Sequence, residues 1–111
     1  MTKARRILDR ITREQSAINV AAIAAREFIR ILPDELLPDS AFLTVICASV
    51  CLYWNTDLAD NCLNVRIAYD SVIHCRWTVP TGSGTSRHRF PPGSKTIPRR
   101  LLVKIKEVCT P

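Results

Sequence analysis

The chain has 111 residues, 16 of them Lys or Arg against 10 Asp or Glu, for a formal net charge of +6. That length suits one domain, here taken as residues 1–111, and 47% apolar with 23% charged residues is a globular rather than a disordered composition. No apolar run approaches the ~20 residues that cross a bilayer, and MTKARRILDRITRE lacks the apolar core of a secretory signal; the expectation is a cytoplasmic protein with no membrane partner.

The charge is unevenly spread. Residues 1–32 are net +4, residues 33–70 net −5 and residues 71–111 net +7. A basic chain invites anionic partners, nucleic acid among them, although an acidic protein surface would meet the same groups.

From Thr2 to Leu32 there is neither Gly nor Pro. Ala4, Ile11, Ile18, Ala25 and Leu32 recur every seven residues, and Ile7, Leu8, Ala21, Ala22, Phe28 and Ile29 fill the neighbouring stripe. This amphipathic pattern predicts one long helix, or two meeting near Gln15–Ser16, lying on a sheet. Arg5, Arg6, Arg10 and Arg13 fall on the opposite, solvated face. Pro33 and Pro38 then end the helix in an acidic connector.

Beyond Ala41 the period becomes two. Val50, Leu52 and Trp54 alternate with Ser49, Cys51 and Tyr53; Leu63, Val65 and Ile67 with Cys62, Asn64 and Arg66; Ile73, Cys75, Trp77 and Val79 with His74, Arg76 and Thr78. These are three half-buried strands of an antiparallel meander. PTGSGTS reads as a turn or mobile loop, and SRHRF as a fourth, edge strand. Pro98 then introduces a short helix whose Leu101, Leu102, Ile105 and Val108 share one stripe. The expected fold is α+β: residues 1–32 helical, a three- to four-stranded sheet within 41–90, and a C-terminal helix over 98–109.

The stretch NVRIAYDSVIHCRW, residues 64–77, carries the side chains of a hydrolase triad. Strand parity argues for another reading. Ile67 and Ile73 both belong to the core, and an even separation on one face requires a hairpin loop of odd length. Tyr69, Asp70 and Ser71 supply it as a type I turn closed by Ser71 in the left-handed region, with Asp70 accepting a backbone N–H. A turn tip offers no pocket and no oxyanion donors, so no catalytic residue is assigned. Cys47, Cys51, Cys62, Cys75 and Cys109 show no CxxC spacing. They read as small packed thiols, with no metal and no cofactor expected.

ASVCLYW, LNVRIAYDSVIHC and IPRRLLVKI stand in order within residues 20–109. Together they resemble a type of small bacterial protein with a helix, the pattern DGSVxLEW…LxVxIxxDGxIxY, and then G…RF…IPxxLLxxI. Ala48 and Ser71 replace glycines of that pattern, and Tyr53 replaces an acidic residue. The resemblance implies an α+β fold and no assigned activity, in proteins that often look like cargo of phages and mobile elements.

Two surfaces are candidate binding sites. The outward sheet face carries Tyr53, Asn64, Arg66, His74 and Arg76, with Arg87 and Arg89; aromatic and Arg side chains on one face can stack bases, hold phosphates or anchor a protein. Lys95, Arg99, Arg100 and Lys104, followed by Lys106, make a basic patch on or before the last helix. The expected function is non-catalytic binding to a protein or ribonucleoprotein complex, in its sharpest form inhibition of a host defence complex as anti-CRISPR proteins do. The alternative is a small nucleic-acid-binding protein that uses the sheet face.

Overall fold

A computed structural model of the chain describes residues 2–14, 20–44, 49–55, 60–91 and 93–109. The Gln15–Ser16 junction, Ile18, Cys47 and Ala48 lie outside the described residues, as does the side chain of Arg13.

Two N-terminal helices are described, α1 (Lys3–Glu14) and α2 (Val20–Ile31). Thr2 opens α1 by accepting the Arg5 N–H on its hydroxyl at 3.1 Å, which satisfies one of the orphan donors of the first turn. Ile7 and Ile11 of α1 are buried, as are Ala21, Ala22, Ala24, Ala25, Phe28 and Ile29 of α2. Arg5 and Arg6 are exposed and Arg10 is half-buried. The alanines let α2 lie close to the sheet, across β2 and β3 as defined below, while α1 rests on α2 and β1.

The acidic connector forms a 3-10 turn, Asp34–Leu36. Its Leu36 carbonyl accepts the indole N–H of Trp54 at 2.8 Å in the interior. That bond lets Trp54, 1% exposed, bury its one polar group satisfied.

Five strands follow: β1 (Ser40–Thr44), β2 (Ser49–Trp54), β3 (Cys62–Ile67), β4 (Val72–Val79) and β5 (Gly82–Arg89). They form one antiparallel sheet in chain order. The expected three or four strands become five because Ala41–Trp54, an apolar run without Gly or Pro, folds back on itself: Ala41 pairs with Leu52 and Leu43 with Val50. The expected loop PTGSGTS is also mostly strand. Only Pro80–Thr81 turn, Gly82 leaves the turn at φ 148°, and Gly84 through Ser86 pair with Trp77 through Cys75.

The β3–β4 hairpin has the odd loop that parity requires. Ile67 faces Ile73, the Ala68 N–H bonds to Val72 O at 3.2 Å, and Ser71 sits at φ 67°. Asp70 accepts the Val72 N–H at 3.1 Å, as expected for a turn aspartate.

The inner sheet face contributes Val50, Leu52, Trp54, Leu63, Val65, Ile67, Ile73, Cys75 and Val79 to the core. Phe28 and Phe90 meet edge to face over it, with centroids 5.5 Å apart. The last helix, α3 (Arg99–Cys109), follows Pro98 directly and packs Leu101, Ile105 and Val108 against β2, β3 and the 3-10 turn. Its end is held by two amides: Asn55 and Asn61 both donate to Val108 O, at 2.6 and 2.9 Å. No described helix is long and apolar enough to cross a membrane.

Candidate functional site: a cationic sheet face and a cleft beside it

The three helices lie on the inner face, none of the described helices covers the outer face of β2–β5, and register determines what that face displays. One cross-strand row reads Tyr53, Asn64, Arg76, Thr85; the next reads Cys51, Arg66, His74, Arg87. Val72 and Arg89 form the row beyond. All seven side chains expected on this face therefore share it. Arg76, Arg87 and Arg89 are exposed; Tyr53, Asn64, Arg66 and His74 are half-buried.

Strands ~4.8 Å apart place Arg66 and Arg87 on either side of His74, within roughly 10 Å of each other. No described residue of these rows is acidic. A shallow concavity of about 330 Å³ lies among Asn64, Arg66, His74, Arg76 and Arg87. The electrostatics register on the imidazole. Burial lowers the His74 pKa below its usual value, and Arg66 and then Arg87 lower it further, with Asp70 opposing. Burial and then the Cys51 thiol raise the Tyr53 phenol, while a hydrogen bond with Asn64 pulls it back.

The basic C-terminal patch divides. Lys95 and Arg99 are exposed. Arg100 and Lys104, one helical turn apart on α3, turn toward β5 and wall a cleft of about 520 Å³ with Trp77, Ser86 and His88. Lys104 Nζ stands 4.7 Å from the Trp77 ring centroid and 2.9 Å from Glu107. The Ser86 hydroxyl and His88 Nε2 are 2.8 Å apart. Burial lowers the His88 pKa, and Arg100 adds to the effect.

Trp77 faces inward, as alternation predicts, and packs half-buried against the core, with Gly84 on the strand opposite and Lys104 over its ring. Trp77, Ser86 and His88 were not among the expected site residues. Alternation carried the signal, since outward Arg87 and Arg89 require His88 and Ser86 to face inward.

The cysteines follow parity. Cys75 is buried on the inner face, and burial pushes its thiol up to about 11, with a bond to Ser86 opposing. Cys62 and Cys109 are half-buried. Among the described residues no cluster of His, Cys, Asp and Glu could hold a metal.

No protein-family model, curated protein or solved structure matches this chain.

Proposed function

We propose that this protein is a non-catalytic binding protein that lays its outer sheet face on the phosphate-bearing surface of a ribonucleoprotein complex and occludes it. The observation that carries the reading is the row Arg66–His74–Arg87, with Arg76 beside it in the next row. Two guanidinium groups flank a histidine that they help to hold below its usual pKa, with no described acid in the rows, an arrangement that suits an anionic partner. Among the described residues of this face none is set as a nucleophile with its base, which favours occlusion over chemistry. The resemblance to mobile-element cargo supplies a setting, inhibition of a host defence complex.

The test is inhibition of purified guide-RNA nuclease complexes. Wild-type protein should block target cleavage by a susceptible complex, and the triple variant Arg66→Ala, Arg76→Ala, Arg87→Ala should lose the block while remaining folded. Undiminished inhibition by that variant, or no complex bound by the wild type, would overturn the reading.

A second reading rests on the neighbouring row. Tyr53, Asn64 and Arg76 set an aromatic ring, an amide and a guanidinium side by side, as single-stranded nucleic acid is often met. Direct binding would show in the anisotropy of labelled single-stranded and duplex oligonucleotides, with log affinity falling steeply against log salt. Replacing Arg66, Arg76, Arg87 and Arg89 with Ala should abolish it, and undetectable binding at low salt would end this reading.

A further inference from the structure

The sheet ends at β5, and the phase of its ladder shows which backbone groups are left over. Antiparallel pairs alternate between those that exchange hydrogen bonds and those that do not. The Phe90 N–H donates to Ser71 O at 2.8 Å, so this pair is a bonded one. Every second pair along the register is then bonded as well: Ile73 with His88, Cys75 with Ser86, Trp77 with Gly84 and Val79 with Gly82. The N–H and C=O groups of Ser83, Thr85, Arg87 and Arg89 consequently point away from β4. β5 has no neighbour on that side among the described residues.

This open edge runs between two cationic surfaces. On the outer face it carries the Arg87 and Arg89 side chains. On the helix side it borders the cleft of Trp77, His88, Arg100 and Lys104, which Thr85 and Arg87 also line. A strand added to β5 would send alternate side chains into the cleft and onto the outer face.

We propose that the β5 edge is a docking site for an extended acidic segment of a partner protein, which pairs as a sixth strand and places alternate carboxylates between Arg100 and Lys104. Main-chain bonds to Ser83, Thr85, Arg87 and Arg89 supply the pairing, and the cleft supplies selectivity, the division of labour usual in strand addition. Charge decides the occupant. A second copy of this chain, paired edge to edge, would bring another Arg87 and Arg89 against these, which opposes self-association. An acidic strand instead meets opposite charge on both faces. The inference shares Arg87 and Arg89 with the outer-face reading but depends on the strand edge and the cleft, which the N-methylated peptides and the Arg100 and Lys104 replacements test separately.

The probe is a short, end-capped, fluorescently labelled peptide alternating threonine and glutamate, with binding followed by anisotropy at low salt. Its counterpart, N-methylated at alternate residues in either phase, keeps every charge and loses one set of main-chain donors. We expect the parent peptide to bind and one N-methylated phase to bind at least about tenfold more weakly, since the lost main-chain bonds compound. Thr85→Pro removes an N–H that faces the open edge and spares the β4–β5 ladder; it should weaken binding similarly. Arg100→Ala with Lys104→Ala should weaken it about tenfold.

Equal binding by parent and both N-methylated peptides would show charge alone at work and overturn the proposal. So would parent binding unchanged by the Arg100 and Lys104 replacements, or no binding at low salt. A dimer in sedimentation that the peptide cannot dissociate would give the edge to a second copy and overturn it too. The N-methylated peptides keep the test decisive should Thr85→Pro fail to fold.

Discussion

The Trp77 indole packs against Gly84 across the β4–β5 ladder so closely that a Cβ on Gly84 would stand 2.7 Å from Cζ2 and 3.1 Å from Cε2. The contact is what admits a tryptophan to the mouth of the cleft. Gly84→Ala drives a methyl into a ring that Lys104 Nζ also meets, 4.7 Å from its centroid. Overpacking of this kind should cost about 1–3 kcal/mol. Urea unfolding should show the loss as a lower midpoint at unchanged slope, and an unaltered midpoint would mean the ring yields freely.

Ser71 holds φ 67° at the end of the β3–β4 hairpin loop, a region where an L side chain is disfavoured. Its hairpin bonds come from the backbone, including the Ser71 N–H to Ala68 O at 3.3 Å. Ser71→Gly should therefore stabilise the protein by about 0.5–1 kcal/mol, the relief of strain exceeding the added freedom of the unfolded chain. Thermal unfolding checks it; a lowered Tm would mean the serine side chain contributes more than its backbone costs.

Burial, Arg66 and Arg87 hold His74 below its usual pKa of 6.5. Because the folded value is depressed, the unfolded chain binds the proton more readily. The contribution of His74 to stability is accordingly present above pH 6.5 and is lost as pH falls through its folded pKa. Arg66→Ala and Arg87→Ala should each move the His74 titration upward in an NMR pH series and flatten this acid limb. A titration that ignores both replacements would place the guanidinium groups farther from the ring than the register does.

Cys75 shifts the other way. Its thiol ionises near 9.0 when unperturbed and at about 11 in the fold, because burial disfavours the thiolate. Stability from this group is complete below pH 9 and is lost as pH rises through about 11. Cys75→Ala should flatten that alkaline limb while lowering stability throughout, by the cavity it leaves. In the native protein at pH 8, Cys75 should resist a disulfide exchange reagent until the chain unfolds. Labelling of Cys75 at the rate of an exposed thiol would contradict its burial.

Much of this architecture was legible from period and parity. The two-residue alternation from Ser49 to Val79 names the residues of both sheet faces, and the six-residue interval from Ile67 to Ile73 dictates an odd loop closed by Ser71. The outer rows could be read for the same reason, since facing direction is a local property of a strand. Two features escaped. The pairing of β1 with β2 lies within one apolar run that has no Gly or Pro to punctuate it. GSGTS looks like loop because its strand character comes from Trp77 and β4 rather than from its own residues. The cleft was hidden more deeply, for it exists only where Arg100 and Lys104 of α3 arrive opposite Trp77 and His88, and no local pattern encodes the distance between a helix and a strand.

Strand order that equals chain order has a bearing on biosynthesis. Each strand pairs with one already made, so hairpins can form in turn as the chain emerges, and closing each short loop costs little entropy. The final helix is the exception. Until Asn55 and Asn61 can grip Val108, the Leu63 and Trp54 side of the sheet has no roof. A chain cut before residue 99 would thus present its sheet with part of the apolar underside uncovered, and α3 both seals that part and raises the second wall of the cleft.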